Sequence, residues 1–143
     1  MKRLLYLPLF LTLFFACKKD SMDSAYDAAN IQTIAGPWRL VEVEKTSLAN
    51  QRFWEKVPAN QSDTLVFRSD GVILNGDGTP RCCAPNSLLI NGAIMEIKPQ
   101  SAIPANPICF YVSCVNCPTW ELTWTDDTLI ISSCLSGRTK YVR

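Results

Sequence analysis

Apolar residues recur along most of this chain at every second position, in short runs rich in Val, Ile, Thr, Phe, Tyr and Trp, and turn residues separate the runs. No amphipathic run of helical length follows Gly36-Pro37, a pair that itself breaks any helix. The pattern predicts strands over 38–45, 63–68, 72–75, 87–90, 93–98, 109–113, 119–125, 128–134 and 138–142. Ser69-Asp70-Gly71 and Asn91-Gly92 are hairpin signals, because tight turns demand a positive φ that Gly accepts; Asp126-Asp127 and Ser136-Gly137 join the last pairs. Strands so spaced pair with their neighbours in sequence, and the fold class expected is all-β: an antiparallel up-and-down meander that closes into a barrel or rolls into a sandwich.

Parity assigns the faces. Trp120, Leu122 and Trp124 share one side of their strand and Glu121, Thr123 and Thr125 the other, so the tryptophan side faces core or cavity. Leu65 with Phe67, and Leu129 with Ile131, repeat the pattern. Glu42 and Glu44 share a face in the same way, and as a carboxylate pair they read as a solvated strand surface rather than acid–base machinery. Before the first strand, the polar stretch from Ser21 suits a tether ending in one short helical turn, whose Ile31 and Ile34, three apart, would cap one end of the core.

The first sixteen residues have a different logic. Lys2 and Arg3 precede an apolar run from Leu4 to Ala16, well short of the roughly 20 residues a helix needs to cross a bilayer. A charged start, a short apolar stretch and a small residue before polar sequence make a secretory signal peptide. Phe14-Phe15-Ala16-Cys17 resembles the lipobox of bacterial lipoproteins, which implies cleavage before Cys17 and lipidation of its thiol. Acyl chains there would anchor the chain without a spanning helix. The segments expected are a signal peptide over 1–16, a lipidated tether over 17–33 and a folded domain over 34–143. Lys18-Lys19-Asp20 is similar to the short charged signal that sends some lipoproteins to the outer face of the outer membrane, so the expected location is the outer membrane, on its periplasmic or cell-surface side.

Export changes how the cysteines are read. With Cys17 set aside, Cys82, Cys83, Cys109, Cys114, Cys117 and Cys134 are an even number in an oxidising compartment, which predicts three disulfides. Adjacent Cys82 and Cys83 should each take a distant partner, pinning the 80s loop to the second half of the chain. A hairpin about Asp126-Asp127 carries Cys134 toward the Cys114-Val115-Asn116-Cys117 turn, the best single place for a bridge. Redox and zinc readings of that Cys-x-x-Cys are weaker: it lies between strand-like runs rather than opening a helix, and the chain has no histidine to complete a site.

The missing histidine also removes Ser-His and Cys-His nucleophile pairs, so no enzymatic activity is expected and no cofactor or metal is implied. Asn75-Gly76-Asp77-Gly78 lacks the later ligands of a calcium loop and reads as a turn. A net charge of +1 with no long basic block argues against nucleic acid.

Gly36-Pro37-Trp38 opening the first strand, Phe53-Trp54, the Leu65-Val66-Phe67 run before Asp70-Gly71, and a terminal hairpin ending in Lys140-Tyr141-Val142 together resemble the small lipocalin-like lipoproteins of Gram-negative bacteria. The resemblance implies a barrel of about eight antiparallel strands with a short helix at its closed end. It further implies a basic residue, Arg138 or Lys140, packed over Trp38. The six cysteines and the Pro-rich loop from Pro99 to Pro107 depart from the general pattern. The function expected is non-enzymatic binding of a small apolar ligand by a monomer held to the membrane through its lipid, with Trp54, Phe110, Trp120 and Trp124 as candidate contacts. The alternative is an interaction or envelope-structural module that holds a protein or glycan through its loops 75–86 and 99–107.

Overall fold

The computed structural model describes residues 31–134 and 137–143. The signal peptide, the lipidation at Cys17 and most of the tether, all expected from the sequence, fall on residues outside these. The described chain is all-β and barrel-like, a single nine-stranded sheet curled into a half-barrel. Its strands are β1 (Gly36–Thr46), β2 (Arg52–Lys56), β3 (Thr64–Phe67), β4 (Ile73–Asn75), β5 (Ser87–Ile90), β6 (Ala93–Glu96), β7 (Thr119–Thr125), β8 (Thr128–Ser132) and β9 (Thr139–Val142). They lie in the order β4-β3-β1-β9-β8-β7-β5-β6, and β2 pairs with β1 beside β3.

Strand β1 organises the sheet because it is long enough to be shared. Its first residues pair with β3, from Gly36↔Phe67 to Arg39↔Thr64, and its last with β2, from Glu42↔Lys56 to Thr46↔Arg52, while β9 runs along its other edge. The register with β9 shifts between Leu40 and Glu42. An extra residue in one strand turns the following side chains to the opposite face. Trp38 therefore points inward, whereas Glu42 and Glu44 stand outside.

Strand β2 was not among the expected elements. Arg52–Lys56 mixes charges with Phe53 and Trp54 and buries no side chain fully, so it carries no alternating signal; it exists because β1 extends past β3 and offers it an edge. The expected strand over 109–113 is instead a 3₁₀ helix, Pro107–Tyr111. Pro107 supplies the fixed φ and absent N–H tolerated at a helix start, and the Asn106 side chain accepts from the Ile108 N–H at 3.2 Å.

Three expected hairpins form. Asn91 and Gly92 take φ of 47° and 88°, and Gly71 and Asp126 take 84° and 47°, as tight turns require. β8 and β9 also pair antiparallel, and the turn expected at Ser136-Gly137 falls partly outside the described residues. One pairing is parallel where all the others are antiparallel: β5 with β7, Ser87↔Thr119 to Ile90↔Leu122. The connection between β6 and β7 passes β5 at one end of the sheet, so β7, which runs with β5 as the third strand of a meander also would, lies between β5 and β8 rather than beside β6.

The inner face is filled. Trp38, Leu65, Phe67, Leu88, Leu122 and Leu129 are all buried and form one cluster with Ile31 and Ile34, against which Trp120 and Trp124 pack. Residues 31–34 are helical and close one end of the half-barrel, where the Trp38 Nε1–H donates to the Ile34 carbonyl at 2.7 Å. Arg143 locks that end from outside. Its guanidinium lies 4.5 Å from the Trp38 ring centroid, and its Nη2 donates to the Thr33 and Ala35 carbonyls at 2.8 and 2.9 Å. This corrects the expectation for Arg138 or Lys140. With Arg39↔Val142 in register, the residue level with Trp38 is Arg143; Lys140 lies beyond the register shift, opposite Glu42.

Candidate binding cavities

Three disulfides shape the end of the half-barrel opposite the helix. Cys82 bonds Cys109, Cys83 bonds Cys114 and Cys117 bonds Cys134. The vicinal pair reaches two partners because Cys83 takes a φ of 59°, which swings its side chain away from that of Cys82. The last bridge ties the foot of β7 to the end of β8, where the hairpin geometry placed it. All six cysteines are therefore committed to structure, and among the described residues no group of three or more acidic or sulfur side chains gathers as a metal site would need.

Core side chains occupy the inside of the sheet, and two cavities among the described residues lie at its margins. The smaller cavity, about 300 Å³, lies at the cystine-bound mouth, with Leu65, Trp120, Ile131 and Tyr141 as its floor and Cys83 and Cys117 on its wall. Burial pushes the Tyr141 phenol above its ordinary pKa, although nearby Arg81 pulls the other way. The larger cavity, about 670 Å³, runs between the β4 side and the β5–β6 hairpin; Val72, Ile73, Pro85, Ile94, Ile97 and Ile103 form its apolar walls. It occupies the seam where the curled sheet fails to close on itself, since β4 and β6 are the two ends of the strand order.

Arg81 borders both spaces. Its Nη1 donates to Asp63 Oδ2 at 2.5 Å and to Asn75 Oδ1 at 3.1 Å, so the cation is held in place between β3 and β4. A buried carboxylate clasps one margin of the seam. Asp70, in the β3–β4 turn, accepts from both Arg68 Nε and Nη2, from the Val72 N–H at 3.3 Å and from the Gln100 N–H at 2.9 Å; Gln100 follows β6. Arg68 Nη2 also reaches Ser101 Oγ at 2.5 Å. Burial opposes the charge on Asp70, but the Gln100 N–H and the Arg68 guanidinium outweigh it and hold the carboxyl below its ordinary pKa.

The four aromatic candidates are at separate stations. Trp120 lines the mouth cavity. Trp124 packs against the core near the other end and donates its indole N–H to the Asp126 carbonyl at 2.9 Å. Phe110 is 85 % exposed on the 3₁₀ helix. Trp54 is on the outer face, as the cross-strand neighbour of Glu44, with Lys140 Nζ and the Arg138 guanidinium 4.5 and 5.5 Å from its ring centroid. Those cations also neutralise the strand carboxylates: Lys140 pairs with Glu42, and Arg138 Nη2 donates to Glu44 Oε1 at 2.6 Å. The hydrogen bond from Arg138 draws the Glu44 carboxyl below its ordinary pKa.

None of the four lines the larger cavity. Its residues went unread as a site because they are scattered among strand ends and loops. The one available signal was indirect: loops 75–86 and 99–107, expected to hold a protein or glycan partner under the alternative reading, supply Pro80, Arg81, Pro85 and Ile103 to its walls. Neither a protein-family model, nor a curated protein, nor a solved structure matches the chain.

Proposed function

We propose that this protein is an exported, lipid-anchored binding protein of the outer membrane, non-enzymatic and lipocalin-like in plan, which holds a small apolar ligand in the seam of its half-barrel. The single observation that carries the reading is the seam cavity: about 670 Å³, apolar on most sides, with a fixed arginine at its border. Cavities of 300 to 1,000 Å³ with few polar groups are the usual form of small-molecule sites. The buried Trp38 under a terminal arginine, with a helical turn capping the same end, accords with the lipocalin resemblance. The absence of histidine and the pairing of Glu42 and Glu44 with cations favour binding over catalysis.

Calorimetry of a panel of small apolar ligands against the native protein tests the reading, with Ala84→Trp as the variant that fills the cavity from its exposed wall. Binding by the native chain that Ala84→Trp abolishes supports it; no binding by either, with no small molecule co-purifying, ends it. Mass spectrometry of the N-terminal peptide tests the anchor separately, by the presence or absence of acyl chains on Cys17.

A second reading has its own support. The two loops that would hold a protein or glycan partner are the walls of the same seam, so a partner's side chain or sugar could occupy it instead. Cross-linking in the cell envelope from position 84 separates the two readings: capture of a specific macromolecule favours the second.

A further inference from the structure

From Pro99 to Pro118 the connection between β6 and β7 contains no charged residue. At its centre Phe110 and Tyr111 are 85 % and 90 % exposed, and Ile108 and Val115 are 69 % and 57 % exposed. A free loop of this composition would fold its aromatics onto each other or onto the adjoining cavity. This one is prevented from doing so. Cys109 and Cys114 are tied to Cys82 and Cys83 on either side of the aromatic pair, and Asn106 Nδ2 donates to the Pro80 carbonyl at 2.9 Å, so the turn is held outward as a crown on the open end.

We propose that this cystine-held crown, Ile108 to Val115, inserts into the interfacial layer of a lipid bilayer. Contiguous exposed apolar surface marks a place of contact, with membrane or with protein. Three observations select the membrane. The crown lacks the charges that give a protein interface its register, and Phe and Tyr are suited to the boundary between acyl chains and headgroups. It is one turn of eight residues, against the roughly 20 to 30 residues a side of a stable protein interface. And the thirteen residues between Cys17 and Ile31 would reach about 45 Å at full extension, against about 23 Å for the length of the seven-residue β7. A chain anchored at Cys17 can therefore lay its open end on the same bilayer; this last step rests on the lipid-anchor reading above.

The test uses the full chain as isolated from membranes, with 4-fluorophenylalanine at position 110 or, as a control, at the half-exposed Phe53 of β2, mixed with phosphatidylcholine vesicles. A nitroxide carried on the lipid acyl chain should broaden the fluorine line at 110 several-fold more than at 53, and a water-soluble relaxation agent should do the reverse. Phe110→Ser with Tyr111→Ser, read from a fluorine placed at Ile108→Phe, should remove the broadening from acyl chains, and salt should not. The proposal is overturned if position 110 sees only the aqueous agent while vesicles are present. It is equally overturned if 110 becomes shielded without vesicles as protein concentration rises, which would make the crown a contact between copies. If the chain sits on vesicles through an acylated Cys17 with position 110 still in water, the crown falls and the anchor stands. Broadening at 110 in a chain whose Cys17 carries no lipid would leave the crown standing without the anchor.

Discussion

Replacing Asp70 by Asn tests whether the seam is held by a charge. The Asp70 side chain is 3 % exposed, and its two oxygens accept from Arg68, Val72 and Gln100. Asn keeps one acceptor but turns an amide donor toward either the Gln100 N–H or the guanidinium, so at least one contact becomes donor against donor. Hydrogen bonds to a charged group contribute about 1.5 to 3 kcal/mol each, and Arg68, itself 22 % exposed, can recover part of its solvation. A net loss of about 3 kcal/mol follows. With a urea m-value near 1.5 kcal/mol/M, the unfolding midpoint should fall by roughly 2 M. The sign of the pH dependence is also set. The folded pKa lies below the ordinary carboxylate value, so the stabilisation is fully present above about pH 4 and is lost as pH falls through the folded pKa. Urea titrations at pH 7 and pH 3 should show the gap between native and Asp70→Asn chains closing at the lower pH. A midpoint shift below about 0.5 M at pH 7, or a gap that does not change with pH, would refute the clasp.

Other outcomes follow from the same geometry. Arg143→Ala should lower stability by about 1 to 2 kcal/mol, because it removes a cation from the Trp38 ring and two donors from the 31–34 helix; Arg138→Ala, on the exposed outer face, should cost less, and thermal melts rank the two. The double variant Cys117→Ser with Cys134→Ser opens a loop of separation 17 and should cost roughly 3 kcal/mol in denaturant, with the other two bridges intact by peptide mapping. Gly71→Ala should destabilise by about 1 to 2 kcal/mol, chiefly because its φ of 84° strains any residue with a Cβ, while Met95 Cε, 2.7 Å from that Cβ, ends a flexible side chain that can shift; calorimetric melting measures it.

The seam and the crown share a cause in the crossing connection of β6 to β7. A hairpin there would have continued the meander. Instead the chain passes the open end, supplies one cysteine to each of the three bridges, Cys109, Cys114 and Cys117, and leaves both an unclosed margin and an exposed apolar turn.

Most strands were legible in the sequence because a half-buried strand must alternate, and β5 and β7 match the expected limits at both ends. Hairpins at Asn91-Gly92 and Asp126-Asp127 were legible because few residues accept positive φ, and the Cys117–Cys134 bridge because a hairpin fixes what lies opposite what. Strand β2 was not, since an edge strand with both faces wet needs no alternation, and its existence depends on the spare length of β1. The 3₁₀ turn at Pro107–Tyr111 was misread as a strand for a related reason: its Ile, Phe and Tyr have β propensity, but no neighbouring strand offers them a ladder. Only the tertiary structure put Arg143 rather than Arg138 over Trp38, because a single register shift decides which residue is level with which. Only it made a cavity from Val72, Pro85 and Ile97, because a space between two sheet margins belongs to no local stretch of chain.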